Sequence, residues 1–172
     1  PVAVAAGIGR SGKNGVLIKG GIHLENLGKV TAVAFDKTGT LTRGNPSVTD
    51  IIAFNGSENE VLRLACSVEK CSEHPLAKAI VERARTAGVD AALVSGFQSS
   101  VGMGARAFVD SREIFVGNPE MFKGRMNLAD GLKEVEKLRT EGKTVVFVGT
   151  ADSIMGIIAL RDQVRPEARK VV

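Results

Sequence analysis

One short segment of the sequence combines acidic, basic and hydroxyl side chains in a way that suits phosphoryl transfer. Asp36 ends an apolar run, and Lys37, Thr38, Gly39 and Thr40 follow it directly. The carboxylate is a candidate nucleophile, the lysine supplies positive charge, and the threonines and a glycine-bearing backbone supply donors for a phosphoryl group. Phosphoryl transfer needs such donors and a magnesium ion around an in-line attack. The alternative is a turn capped by these polar side chains.

Two other glycine-rich segments match phosphate-binding motifs only in part. Residues 7–14 (GIGRSGKN) fit G-x-x-x-x-G-K, but Asn14 stands where that motif requires a Ser or Thr hydroxyl for magnesium. Gly102, Gly104 and Ala107 fit G-x-G-x-x-A, but we expect a strand after them, and a strand lacks the helix N-terminus that would hold a pyrophosphate. The two glycines still allow a ligand to approach the backbone closely, and a plain hairpin turn is the alternative.

The predicted elements alternate between helices and strands, which indicates an α/β fold. Ser57 and Glu60 form a capping box, Pro75 suits a first helical turn, and Asp110-Ser111 suits a hairpin turn. Apolar spacing predicts helices over residues 22–29, 57–71, 75–87 and 128–138. Strands are predicted over residues 30–35, 47–54, 93–98, 105–110, 113–117, 144–149 and 154–160. Asp36 therefore stands at the carboxyl end of a predicted buried strand.

Composition limits the class of protein. The chain has 172 residues, of which 44% are hydrophobic and 24% charged, so it should form one domain or two small ones. Its two cysteines stand in no disulfide or zinc framework, which favours a reducing compartment. The net charge of +4 is scattered along the chain, so nucleic acid is not an expected partner.

Both ends of the sequence look like cuts through a longer protein. The apolar run over residues 1–8 suits a core strand slightly better than the tail of a longer helix, and residues 165–172 read as the start of a helix. No stretch reaches the roughly 18 apolar residues of a membrane span.

Residues 36–42 (DKTGTLT) resemble the phosphorylation signature of the P-type ATPases, in which the aspartate becomes an aspartyl phosphate. Residues 72–80 (SEHPLAKAI) resemble the His-Pro motif of the heavy-metal-transporting branch. The triplets at 102–104 (GMG) and 116–118 (VGN) resemble its Gly-x-Gly and Gly-Asn motifs. The sequence is therefore identified as resembling part of a heavy-metal-transporting P-type ATPase.

The resemblance implies a role for each matching residue. Asp36 would be the phosphorylated nucleophile and a magnesium ligand, Thr38 would give a backbone oxygen to magnesium, and Lys37 and Thr40 would hold the phosphoryl group. The adenine end of an ATP site would consist of five residues: Glu69, His74, Gly102, Gly104 and Asn118. ATP and Mg²⁺ are the expected cofactors.

The resemblance also implies a domain organisation. Residues 1–21 would be the end of a membrane helix and its stalk, 22–45 the first part of a phosphorylation domain, 46–153 the nucleotide-binding domain, and 154–172 a truncated return segment. The expected fold is thus an antiparallel sheet flanked by helices, inserted into an incomplete haloacid-dehalogenase-like phosphorylation domain. Short connections at residues 44–46 and 155–156 would form a hinge.

The implied function is the ATP-binding and phosphorylation part of a membrane pump that couples ATP hydrolysis to export of a heavy-metal cation. Residues 17–21 and 33–36 resemble the zinc, cadmium, cobalt and lead group more than the copper group, which is the alternative. The expected partners are ATP or ADP and the remaining domains of the same pump, at the cytoplasmic face of a membrane. Because the actuator loop and the later aspartates of the phosphorylation domain are absent, this chain should bind nucleotide with little or no turnover.

Two alternatives lie outside this family. A soluble haloacid-dehalogenase-like phosphatase also uses an aspartate nucleophile, but it would need a second aspartate where Thr38 stands. A non-catalytic nucleotide-binding module would leave Asp36 unphosphorylated when the rest of the pump is restored.

Overall fold

The computed structural model describes residues 2–122 and 129–172, and the chain divides into two compact units, Pro1–Asp36 and Lys37–Val172. In the first unit, helices α1 (Val2–Lys13) and α2 (Gly21–Leu27) precede a segment without regular secondary structure. Gly7 lies against Leu24 and Gly21 against Val4, and a Cβ atom at either glycine would lie 2.7 Å from the facing side chain. The small residues therefore let the two helices approach, although neither buries a described residue.

Two expectations for the first unit, a core strand at the start of the chain and a strand over residues 30–35, are corrected by the structure. The apolar run at the start of the chain is helical rather than a core strand, because a helix satisfies its backbone groups internally whereas a strand needs paired neighbours. Residues 7–13 lie in the same helix, so they form no phosphate-binding loop. Residues 30–35 form no strand, and Val33 is 66% exposed. No described strand pairs with that segment.

The second unit contains a sheet of six described strands, all pairs of which are antiparallel. The spatial order is β1-β6-β5-β4-β3-β2. The strands are β1 (Thr42–Ala53), β2 (Val94–Ser100), β3 (Gly104–Val109), β4 (Arg112–Gly117), β5 (Thr144–Gly149) and β6 (Ile154–Val164). The helices of this unit are α3 (Glu58–Glu69), α4 (Pro75–Thr86), α5 (Ala129–Thr140) and the short α6 (Ala168–Val171). The architecture predicted for the nucleotide-binding module, an antiparallel sheet flanked by helices, is confirmed.

Side chains alternate between two cores on the opposite faces of the sheet. On β5, Val146 and Val148 join the apolar residues of α3 and α4, whereas Phe147 points to the other face and packs with Phe122 and with Val135 of α5. This two-residue period is that of strands buried on both faces. The sheet is therefore a central layer covered by helices on each side.

The predicted local signals at turns and helix ends are present. Ser57 caps α3, since its hydroxyl accepts the N–H of Glu60 at 3.2 Å. Asp110 and Ser111 adopt φ angles of 49° and 65°, as a two-residue turn between β3 and β4 requires. The predicted start of the last long helix at Leu128 lies outside the described residues.

Strand β6 lies between β1 and β5, so the sheet extends past the boundary predicted at Ser153. Gly156 pairs with Ala53, and a Cβ at Gly156 would lie 2.4 Å from the backbone oxygen of Ile52. The connection predicted as a hinge at residues 155–156 is thus an interior part of the sheet. Among the described residues, no helix has the length and apolar character needed to cross a membrane.

Candidate functional site

A cavity of about 590 Å³ lies in the second unit, where the end of α3 and the start of α4 face the sheet. Its wall is formed by the β2–β3 loop and by the paired ends of β3 and β4, and Thr144, Val145 and Val146 of β5 contribute further lining. All five residues predicted for a nucleotide site line this cavity: Glu69, His74, Gly102, Gly104 and Asn118. They come from segments that are far apart in sequence, and the fold brings them together.

Glu69 is the last residue of α3 and points its carboxyl group into a mostly apolar environment. The residue is only 8% exposed. Burial raises the pKa of its carboxyl from 4.5 to about 7, because the charged form loses hydration there, while a hydrogen bond with Ser72 acts in the opposite direction. Glu69 is therefore partly protonated near neutral pH.

His74 caps the N-terminus of α4 and is held by that helix. Its Nδ1 accepts the N–H of Leu76 at 3.2 Å, and Pro75 occupies the first helical turn. Because Nδ1 is an acceptor in this hydrogen bond, the ring proton of the neutral imidazole lies on Nε2. The imidazole, which lines the cavity, is thus held by the helix end and carries its N–H donor on Nε2.

Gly102, in the β2–β3 loop, and Gly104, the first residue of β3, serve different purposes. Gly102 has a φ of +73°, and a Cβ built on it meets nothing within 4 Å, so its missing side chain leaves open space. A Cβ on Gly104 would instead lie 2.2 Å from the oxygen of Val116 and 2.5 Å from the Cα of Gly117. Gly104 therefore lets β3 and β4 approach closely, whereas Gly102 leaves room for a ligand.

Asn118 holds the glycine loop in place. Its Nδ2 donates to the oxygen of Gly102 at 2.8 Å, and its backbone N–H donates to the oxygen of Met103 at 2.8 Å. Its Oδ1 accepts the N–H of Met121 at 3.3 Å, at the start of the 3₁₀ turn Pro119–Phe122. The side chain that was predicted to bind adenine is thus occupied in fixing the cavity wall.

Three of the four predicted phosphorylation residues, Asp36, Lys37 and Thr40, are solvent-exposed. Asp36 ends the first unit outside any helix or strand, and Lys37 and Thr40 lie in a π-helical turn, Lys37–Leu41, that begins the second. The side chain of Thr38 lies outside the described part of the structure. Neither Lys37 nor Thr40 is among the described residues that line the cavity.

A hydrogen-bond network after this turn was not predicted from the sequence. The carboxylate of Asp162, on β6, accepts hydrogen bonds from the hydroxyl of Thr42 and from the backbone N–H groups of Gly44 at 3.1 Å and Asn45 at 3.0 Å. Burial raises the pKa of Asp162, but these hydrogen bonds outweigh it and the net pKa lies below 3.8. Nothing in the sequence distinguishes Asp162 from other exposed acids at a strand end.

Arg165 attaches the π-helical turn to the same strand end. Its Nε donates to the oxygen of Thr42 at 3.0 Å, its Nη2 donates to the oxygen of Gly39 at 3.2 Å, and its backbone N–H donates to the oxygen of Leu41 at 2.9 Å. The segment that follows Asp36 is therefore fixed to the end of β6 by both a carboxylate and a guanidinium.

The predicted magnesium ligands are Asp36 and the backbone oxygen of Thr38. A carboxylate at Asp36 and a backbone oxygen at Thr38 are the hard oxygen donors that magnesium prefers. However, the residues that the structure describes include no group of three or more His, Cys, Asp or Glu side chains that could hold a metal ion. Magnesium at this position stays a prediction.

Comparisons with known proteins agree with the fold. The family model of the haloacid dehalogenase-like hydrolases matches residues 30–172. A probable cadmium-transporting ATPase of Staphylococcus aureus is 39% identical over 180 residues, which cover 100% of this chain and 25% of the relative. The chain therefore spans about a quarter of the length of such relatives.

Two solved structures extend the comparison to three dimensions. A zinc-transporting PIB-type ATPase in an E2.Pi state superposes with a TM-score of 0.74 and 39% identity, covering 99% of this chain and 28% of that one. The N-domain of the copper-transporting P-type ATPase HMA8 gives a TM-score of 0.58 at 34% identity, covering 66% of this chain and 98% of that domain. The chain belongs to the haloacid dehalogenase-like hydrolases and, within them, to the heavy-metal-transporting P-type ATPases.

Proposed function

We propose that this chain binds ATP or ADP through the adenine ring in the 590 Å³ cavity. The observation that carries the proposal is the convergence of Glu69, His74 and the Gly102 loop on one cavity from three separate segments. The carboxyl group and the imidazole N–H offer hydrogen bonds to a purine, and the imidazole face offers stacking. The space beside Gly102 admits a flat ring close to the backbone.

The cavity suits a base better than a polyphosphate. No Lys or Arg is among the described residues that line it, so the phosphates would extend toward solvent and toward the phosphorylation segment. Binding through the base alone should be weak, with submillimolar to millimolar dissociation constants and little dependence on magnesium, since few ligand atoms are desolvated. This is the behaviour expected of a module that holds ATP for transfer elsewhere.

In the whole protein, we propose that Asp36 is the phosphoryl acceptor of a pump that exports a heavy-metal cation. Magnesium, with Asp36 and the Thr38 backbone oxygen among its ligands, would neutralise charge on the transferred group. The similarity to a cadmium-transporting relative and a zinc-transporting structure supports zinc or cadmium as the cargo over copper. The chain would then lie at the cytoplasmic face of the membrane, with the other domains of the pump as its partners.

Titration calorimetry with ATP and ADP tests the cavity. His74→Gln removes the imidazole face, and Gly102→Asp fills the open space with a negative charge, so each should weaken binding at least tenfold. His23→Gln and Gly88→Asp are matched controls: His23 is in the first unit, and Gly88 shares the positive φ and the open surroundings of Gly102. Unchanged affinity in both cavity variants would show that the nucleotide binds elsewhere.

Phosphorylation is tested in the full-length pump with γ-labelled ATP. Asp36 should form an acid-stable, hydroxylamine-sensitive phosphoenzyme, because an acyl phosphate is cleaved by that nucleophile. Asp36→Asn should abolish the labelled species, and Asp152→Asn, in the β5–β6 turn, should retain it. Label retained in Asp36→Asn would contradict the assignment and favour a non-catalytic module.

A further inference from the structure

We propose that Glu69 engages the nucleobase as a neutral carboxyl group, which donates its O–H to a ring nitrogen and accepts an N–H from the neighbouring amino group. Adenine binding would then be coupled to uptake of one proton by the protein. The proposal rests on the adenine site proposed above. It adds the protonation state that the site requires and the base preference that follows from it.

The position of Glu69 disfavours a carboxylate. The residue is 8% exposed and is the last residue of α3, where the helix dipole places partial negative charge. Its described hydrogen-bonding neighbour is the hydroxyl of Ser72, which is a neutral group. An ionised carboxylate at this place would lose hydration without gaining a cation in return.

No described element packed around the cavity brings a cation to Glu69. From α4 the titratable lining residue is His74, and the described lining from β2, β3, β4 and β5 contains none. Lys143 precedes the β5 residues of the wall, but its Nζ is bound to Asp50 at 2.8 Å and Glu141 at 2.7 Å. Lys70, next to Glu69, is exposed. These surroundings account for a carboxyl pKa of about 7, with burial as the main cause.

Adenine and guanine respond differently to the two forms of this group. Adenine presents an acceptor nitrogen next to an amino group, so a neutral carboxyl makes two hydrogen bonds to that edge and a carboxylate makes one. Guanine presents two adjacent N–H donors, which a carboxylate accepts together. Loss of the Glu69 proton should therefore weaken ATP binding and improve GTP binding relative to it.

The test measures the dissociation constants of ATP and GTP for the whole chain by calorimetry at pH 6 and pH 8. If the bound form carries one proton on a group of pKa about 7, the dissociation constant of ATP rises about tenfold between these values. The ratio of the GTP dissociation constant to the ATP dissociation constant should fall between pH 6 and pH 8. Calorimetry in buffers of different ionisation enthalpy should also show proton uptake on ATP binding at pH 8.

Three variants test whether Glu69 is the residue that causes the pH dependence of ATP binding. Glu69→Gln has no proton to lose, so the ratio of the ATP dissociation constants at pH 8 and pH 6 should fall from about ten to about one. Ser72→Ala removes the hydrogen bond that lowers the carboxyl pKa, so the midpoint of the profile should move to higher pH. His74→Gln should weaken binding but keep the pH ratio near ten.

The experiment distinguishes failure of the proposed nucleotide binding from failure of the protonation proposal. Binding of no nucleotide at either pH would contradict the proposed function itself. Measurable ATP binding with the same affinity at pH 6 and pH 8 in the unmodified chain would overturn the protonation proposal alone. The protonation proposal is also overturned if the ratio of the ATP dissociation constants at pH 8 and pH 6 stays near ten in Glu69→Gln or falls to about one in His74→Gln. The titrating group would then be a residue other than Glu69.

Discussion

The nucleotide cavity and the phosphorylation segment differ in how the chain supports them. Around the cavity, Gly104 and Gly117 bring two strands into close contact, and Asn118 holds the loop at Gly102. The structure places Asp36 in an exposed segment without regular secondary structure, and none of the described strands pairs with the residues before it. The cavity is preorganised by packing. The phosphorylation segment is held by the hydrogen bonds described above, which involve residues after Asp36.

This difference separates recognition from chemistry. A base can be bound by the second unit with its own sheet and helices, because every proposed contact lies within that unit. Phosphoryl transfer needs donors fixed around the reacting oxygen to within a fraction of an ångström. We therefore expect changes within the sheet to affect folding and binding, and changes at the Asp162 network to affect local order near the phosphorylation segment.

The largest expected effect comes from removing β6. A shortened chain of residues 46–153 lacks the strand that pairs with both β1 and β5, including the fully buried Ile157 and Ile158. It should lose cooperative thermal unfolding, because β6 is the partner of β1 among the described strands. Circular dichroism on heating measures this. Residues 37–172 are the control and should retain the transition, and a cooperative transition for residues 46–153 would restore the sequence-based boundary.

The next largest effect is a difference in stability between substitutions at the two glycines of the cavity wall, Gly104 and Gly102. Gly104→Ala places a Cβ 2.2 Å from the oxygen of Val116 and should lower the free energy of unfolding by about 3 to 4 kcal/mol. Gly102→Ala meets no atom within 4 Å and should cost only about 1 kcal/mol for its positive φ. Urea denaturation of both variants measures the difference. Equal costs would mean that β3 and β4 do not depend on their close approach.

A third prediction concerns how the Glu69 carboxyl makes the free energy of unfolding depend on pH. Its pKa is about 7 in the folded chain and near 4.5 when unfolded, so the folded state keeps a proton that the unfolded state has released. Stability should therefore fall as pH rises from 4.5 to 7, by about 3 kcal/mol at about 1.4 kcal/mol per pKa unit. Urea denaturation at pH 4.5 and 8 should show this loss in the unmodified chain and a smaller loss in Glu69→Gln. Equal losses would place the titration elsewhere.

Much of the second unit could be predicted because its signals are local. The Ser57 cap, the proline that begins α4 and the Asp110-Ser111 turn each depend on a few neighbouring residues. The cavity residues were predicted together because they resemble family motifs, and the fold then brought them to one place. Periodicity alone would not have joined the end of α3 to the β2–β3 loop.

The errors concern elements whose state depends on distant partners. Residues 30–35 have a strand-like sequence, but β-branched residues make a strand only where another strand accepts their hydrogen bonds. The boundary predicted at Ser153 follows a local turn signal, whereas the place of β6 between β1 and β5 depends on pairing with two other strands. Asn118 shows the same limit, since the sequence indicates its importance but not that its amide binds the oxygen of Gly102.

The smallest effect is expected at Asp162, where the carboxylate holds the start of β1. Asp162→Asn keeps the size of the side chain but replaces one acceptor oxygen by an N–H₂ group, which cannot accept from Thr42 or from the N–H of Gly44. The free energy of unfolding should fall by about 1 kcal/mol at pH 7, because a partly exposed hydrogen bond contributes about that much.

The pH dependence of this loss is set by the lowered pKa of Asp162. A carboxyl whose pKa is lower in the folded chain stabilises the fold above its ordinary pKa of 3.8, and that contribution disappears as pH falls through the folded value. The difference between Asp162→Asn and the unmodified chain should therefore be constant from pH 5 to 7 and shrink below pH 4. Asp152→Asn, at an exposed turn, is the control and should show no such change. Amide exchange at Gly44, whose N–H loses its acceptor, should be faster in Asp162→Asn, and unchanged exchange there would show that the carboxylate does not fix the strand.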